Sequence, residues 1–195
     1  MQLSPGIFKA YDIRGVVPAT VDETVARALG RAFAAIARRE GERTVAVGRD
    51  GRLSGLALST SLIQGLVAGG MEVIDLGMVA TPMLYFAAAT LTRSGVQVTA
   101  SHNPKDDNGF KLVAAGRTIH GEELQTLRRA METAAWEQGA APGKVRRADI
   151  FPAYRDRIAA GVHLARRLAP MPLFPWRGAR SGAPRRGSCG RLPPA

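Results

Sequence analysis

Three short stretches rich in apolar residues, at 44–48, 71–76 and 95–100, alternate with stretches of helical spacing, and few folds accommodate that alternation. Thr44-Val-Ala-Val-Gly48 shows no polar alternation, which predicts a strand covered on both faces. Ahead of it, residues 24–39 place Val25, Ala28, Leu29, Ala32, Phe33 and Ile36 at helical intervals. Asp22 and Glu23 suit the N-terminus of that helix, and Gly41 stops it. A second helix fits residues 54–68, with Ser54 as N-cap, Leu58, Leu62, Ile63 and Leu66 facing inward and Gly69-Gly70 at its end. Pro82 opens a third helix that reaches about residue 91. Residues 110–113 read as a fourth strand and 121–135 as a further helix. The order predicts the α/β class: a three-layer α/β/α domain on a mostly parallel mixed sheet, with a disordered C-terminal tail after it.

Open sheets of this kind bind ligands beyond the carboxyl ends of their strands. Gly48-Arg-Asp-Gly-Arg52 follows the first predicted strand and Ser101-His-Asn-Pro104 the third, so both polar loops are expected at one edge of the sheet. That edge is where a site should be.

The formal net charge of +11 raises the possibility of a polyanionic partner, but the charge is unevenly placed. Seven of the 27 basic side chains are arginines in residues 166–195, which hold no acid; 20 remain in residues 1–165 against all 16 acids. The single cysteine, Cys189, excludes an internal disulfide framework and a multi-cysteine zinc site. The N-terminus lacks the basic flank and apolar run of a signal peptide, and the longest apolar stretch, residues 78–91, is broken by Thr81-Pro82. The expectation is a cytoplasmic protein without a membrane partner.

Four polar motifs remain. They are Phe8-Lys-Ala-Tyr-Asp-Ile-Arg-Gly15, Gly48-Arg-Asp-Gly-Arg52, Thr99-Ala-Ser-His-Asn-Pro104 and Asn108-Gly-Phe-Lys111. Taken singly, His-Asn-Pro is a turn and Asn-Gly a hairpin signal. A serine beside a histidine is no triad, because triad partners are assembled by the fold. Asp106-Asp-Asn-Gly109 is no calcium loop either, since aligning Gly109 with the loop glycine puts Pro104 where the first carboxylate must be.

Together, in this order and spacing, the four motifs resemble the α-D-phosphohexomutases, in the form of the phosphomannomutase/phosphoglucomutase branch. The resemblance covers about residues 5–165 and concerns the first domain of that family only. It implies a phosphoryl group moved between positions 1 and 6 of a hexose through a phosphoserine and a bisphosphorylated sugar. Ser101 matches the serine that carries the phosphate and, through that phosphate alone, touches a Mg²⁺ ion. Arg14 and Lys111 match residues near the phosphoserine, with Lys111 a candidate general acid/base or else a solvated charge at a strand end. His102 and Asn103 would shape the loop and assist phosphate binding, although for His102 a purely structural role is as good a reading. Tyr11 and Asp12 would position the loop of Arg14. Arg49 and Arg52 would either attract anionic substrate or belong to a solvated turn anchored by Asp50. The implied ligands are a hexose phosphate, of mannose or glucose, and a hexose 1,6-bisphosphate as activator.

The resemblance also implies three aspartates of an Asp-Gly-Asp-x-Asp-Arg loop as metal ligands, and no such loop occurs in this sequence. Residues 1–150 are therefore read as the domain with the phosphoserine loop, 151–168 as a linker helix and 169–195 as an Arg/Pro/Gly-rich tail, disordered or frameshift-derived. Metal binding by this chain alone is doubtful on that reading, and a truncated polypeptide of this kind is expected to have little or no mutase activity. The alternative is a non-catalytic binding module whose arginine-rich tail contacts RNA or another polyanion, with steep salt dependence as its mark. No aromatic stacking pattern apart from Trp176 accompanies those arginines, so nucleic acid is expected only nonspecifically.

Overall fold

In chain order the elements are β1 (Ile13–Val16), α1 (Glu23–Arg39), β2 (Thr44–Arg49), α2 (Gly55–Ala68), β3 (Glu72–Met78), α3 (Thr81–Ala87), β4 (Gly95–Val98), β5 (Asp107–Ala114), β6 (Arg117–Thr118), α4 (Glu122–Thr133), β7 (Val145–Arg147) and α5 (Phe151–Ala160). This computed structural model describes residues 1–134, 136 and 141–162. The later part of the predicted linker helix and the arginine-rich tail lie outside the described residues.

The strands form one mixed sheet in the order β1-β5-β4-β2-β3-β7, with β6 on β5. Pairings β2–β4, β2–β3 and β3–β7 are parallel, whereas β5 runs antiparallel to β1, β4 and β6. The reversal at β5 follows from chain length: the segment from Thr99 to Asp106 is too short for the crossover that a parallel neighbour requires. Sequence periodicity did not indicate β1, β6 or β7. Residues 145–147 add an exposed edge strand to β3.

Side-chain alternation along the strands creates two cores. Val45 and Val47 point into the larger one, closed by Leu29 and Phe33 of α1, Leu62 and Leu66 of α2, and Leu124 and Leu127 of α4. Ala46, between them, faces the smaller core with Ile74, Leu76, Leu84 and Ala87 under α3. The three layers are thus helices, sheet and helices, as the sequence led one to expect.

Helix α1 starts where Asp22 accepts a 2.8 Å hydrogen bond from the Val25 amide. It crosses α2 with backbones in contact: a Cβ added to Gly30 would lie 2.3 Å from the Leu62 carbonyl oxygen, and one added to Gly65 would lie 2.2 Å from that of Arg27. Val45 and Val47 of β2 pack into the core under these helices, and β2 leads directly into the first polar loop.

Candidate active site

The loops after β2 and β4 leave the same edge of the sheet because those strands are parallel neighbours. The Asp50 amide still donates to the Val98 carbonyl (3.0 Å), which ties the two strand ends together. One residue further on, side chains take over: Thr99 Oγ1 donates to Asp50 Oδ2 at 2.7 Å, and the Ser101 amide donates to Thr99 Oγ1 at 2.9 Å. β4 therefore ends at Val98, not at residue 100 as the apolar run suggested. Ser101 is exposed, has φ +54°, and lines a recess of about 680 Å³ with Arg52, Ser54, Asn103, Lys105 and Asp106. Positive φ in a residue other than glycine carries roughly 1–3 kcal/mol of strain that surrounding contacts must offset.

Arg52 supplies many of those contacts. Its Nη2 donates to the carbonyls of Ser101 (3.1 Å) and Asn103 (2.7 Å), and its Nη1 to those of Pro104 (2.5 Å) and Asp107 (2.7 Å). Its Nε lies 3.5 Å from Asp50 Oδ2. Arg52 sits in the loop after β2, its guanidinium faces the peptide groups of the serine loop, and it lines the same recess as Ser101.

A second cluster is built on the pairing of β1 with β5. Their antiparallel register sets Ile13 opposite Phe110, Arg14 opposite Gly109 and Gly15 opposite Asn108. That register explains why two motifs so distant in sequence belong together. Gly109 is required by space: an added Cβ would lie 2.0 Å from the Ile13 carbonyl oxygen.

Just before β1, the side chain of Asp12 is only 3% exposed and its Oδ2 gathers two cations. Arg14 approaches it through Nη2 (2.6 Å) and Nε (2.8 Å), and Lys111 through Nζ (3.0 Å). Arg14 Nη1 then donates to Asn103 Oδ1 at 2.8 Å, while Asn103 Nδ2 donates to Asp107 Oδ2 at 2.8 Å. A continuous polar chain runs from Lys111 through Asp12, Arg14 and Asn103 to the serine loop. Asn103 lines both the Ser101 recess and a neighbouring one of about 410 Å³ with Lys9, Tyr11, Arg14 and Lys111.

The remaining expected site residues are placed less closely. Tyr11 is 68% exposed at the rim of the second recess, with its ring centroid 6.1 Å from that of His120. His102 is exposed and makes no hydrogen bond or ion pair with any described residue. Arg49 does not join Ser101: it lines a separate recess with Asp75, Arg147 and Asp149. β2 alternation turns Arg49 toward the N-terminus of α2, where its side chain lies 3.8 Å from the position a Cβ on Gly55 would take.

Sequence reasoning gave Asp12 a loop-positioning role but did not see that it binds Lys111 as well as Arg14. It also missed the roles of Thr99 and Asn108. Asn108 is fully buried, and its Nδ2 donates to Ser54 Oγ at 2.9 Å, joining β5 to the start of α2. The signal for Thr99 was available in its position two residues before Ser101, the spacing of a hydroxyl-capped turn.

The fold and the site define an α/β/α domain that presents a serine loop at a sheet edge, braced by arginines and by a carboxylate that pairs two cations. The chain belongs to the phosphoglucomutase/phosphomannomutase family, with residues 5–138 matching the model described as phosphoglucomutase/phosphomannomutase, alpha/beta/alpha domain I. It is 48% identical over 165 residues to the phosphomannomutase/phosphoglucomutase of Pseudomonas aeruginosa PAO1, covering 84% of this chain and 35% of that protein. It is 47% identical over 161 residues to a phosphoglucomutase of Neisseria gonorrhoeae, covering 82% of this chain and 35% of that protein. A crystal structure of a phosphoglucomutase/phosphomannomutase family protein from Burkholderia thailandensis superposes with a TM-score of 0.79 at 45% identity, over 85% of this chain and 38% of the other. The chain thus spans about a third of the length of the curated relatives it matches. Among the described residues no helix is long and apolar enough to cross a membrane.

Proposed function

We propose that this chain is the phosphoserine-bearing domain of a hexose-phosphate mutase of the phosphomannomutase/phosphoglucomutase type. In this reading Ser101 gives its phosphoryl group to a hexose monophosphate and takes one back from the resulting hexose 1,6-bisphosphate. The observation that carries it is the exposed Ser101 on a loop braced by Arg52 and reached, through Asn103, by the Arg14–Asp12–Lys111 cluster.

In the transfer to substrate, the P–O bond to Ser101 Oγ breaks as a bond to the sugar hydroxyl oxygen forms. The hydroxyl proton leaves to a base, and the serine oxygen regains a proton. Spreading charge on the three equatorial oxygens calls for cations held in place beforehand, which Arg14 and Lys111 supply. As an ammonium donating to Asp12, Lys111 suits the roles of electrostatic stabiliser and of acid toward the departing serine oxygen.

Mg²⁺ would meet this chain through the phosphate on Ser101. No three His, Cys, Asp or Glu residues among those described gather to hold a metal, so the residues present do not build that site and no step is assigned to the ion.

Incubating the purified chain with glucose 1,6-bisphosphate and measuring intact mass tests the reading. One added phosphate on the wild type and none on Ser101→Ala is the expected outcome. A wild type that stays unmodified, or a Ser101→Ala variant that is modified equally, would refute Ser101 as the carrier.

A further inference from the structure

We infer that Arg52 is the positioning residue of the serine loop, collecting four of its carbonyl oxygens on one guanidinium so that the loop can bear a phosphate on Ser101. The inference rests on the reading of Ser101 as phosphoryl carrier. A guanidinium offers five N–H donors in a fixed planar fork. Here the four on Nη1 and Nη2 meet the carbonyls of Ser101, Asn103, Pro104 and Asp107 at 2.5–3.1 Å, and the fifth faces Asp50 Oδ2 at 3.5 Å. The side chain is 13% exposed, and its bonds to Asn103 and Asp107 are part-buried, whereas those to Ser101 and Pro104 lie at the surface.

Two physical consequences follow. Four carbonyl dipoles converging on one point repel each other, and they repel a phosphoserine carrying about −1.5 to −2 charge at neutral pH. Arg52 neutralises that convergence from the loop's interior. It also secures the left-handed backbone at Ser101, whose φ of +54° no glycine is present to ease. Asp50 completes the device, since one carboxylate oxygen faces Arg52 and also accepts from Thr99 Oγ1, the atom that holds the Ser101 amide. Lysine cannot substitute, because one ammonium presents its donors from a single point and cannot span four acceptors in a plane.

The experiment compares the full chain with Arg52→Ala and Arg52→Lys. Amide hydrogen exchange over residues 99–108 should speed up about tenfold or more in both variants, while amides of α1 and α2 keep wild-type protection. Uptake of phosphate at Ser101 from glucose 1,6-bisphosphate with Mg²⁺ should slow about 100-fold at saturation, as expected when a reacting group is misplaced by about an ångström. The half-saturating concentration should stay within about threefold, because a positioning defect acts on the rate and leaves binding alone. Methylguanidinium should restore uptake to Arg52→Ala, and methylammonium should not. Wild-type exchange in the loop of both variants would overturn the inference, as would Arg52→Lys reacting at the wild-type rate. If Arg52→Ala does not fold, Arg52→Lys carries the same comparison. If the wild type itself takes up no phosphate, the carrier role of Ser101 fails, and loop exchange alone then decides the role of Arg52.

Discussion

Replacing Gly109 by alanine should unseat β1 and with it the Asp12–Arg14–Lys111 cluster. The added methyl carbon would stand 2.0 Å from the Ile13 carbonyl oxygen and 3.0 Å from Arg14 Cα. Ordinary contact begins near 3.4 Å, so β1 must retreat by more than an ångström or β5 must buckle. The obstructing atom is backbone, which cannot rotate aside as a side chain could. Overpacking of this kind costs roughly 1–3 kcal/mol. Alanine recovers about 0.4–1 kcal/mol by restricting the unfolded chain. The net is about 0–2.6 kcal/mol, and its midpoint of about 1.3 kcal/mol corresponds to a fall in Tm of roughly 3–5 °C for a domain of this size. Thermal unfolding followed by circular dichroism measures it, with Gly6→Ala as control, since a Cβ there meets only Ser4 Oγ at 3.8 Å. Hydrogen exchange at the β1 amides should rise in parallel. A Gly109→Ala protein that melts no lower than the control would refute the claim that this glycine is kept for the approach of two backbones.

Two further perturbations address the polar chain. Asp12→Asn leaves Arg14 and Lys111 without their shared counter-charge in a setting where their side chains are 23% and 20% exposed; urea unfolding should show a loss of roughly 1–3 kcal/mol, below the cost of breaking a fully buried pair. Thr99→Val keeps the side-chain shape but removes the oxygen that links Asp50 to the Ser101 amide. It should cost about 1–2 kcal/mol in the same assay and speed exchange at the Ser101 amide, and a variant as stable as wild type would show that link to be dispensable.

The family assignment now rests on more than motif order. Each of the four motifs has a physical place at one end of the sheet: the first and last meet in the β1–β5 register, and the middle two meet where Arg52 grips the serine loop. Arg14 bridges the two halves through Asn103. The serine loop is placed there by its own strand ends and held by part-buried and exposed polar contacts from both sides.

The sequence by itself determined the α/β alternation, the helices that cover the sheet, the common edge for the two polar loops and the candidacy of Ser101, Arg14 and Lys111. The first three are local or periodic properties, since a covered strand shows as a short stretch rich in apolar residues and a helix as a repeat of its inward face. The three site residues became candidates through the resemblance of their motifs to a known family. Only the tertiary structure decided that Asp12 pairs with both cations, that Arg49 opens onto a different recess and that Arg52 turns to backbone carbonyls. Periodicity is silent on such matters, because an arginine's side chain reaches far enough to serve solvent, substrate or a neighbouring loop equally well. The choice among them is made by which acceptors the fold brings within hydrogen-bond distance, here across 49–55 residues of sequence.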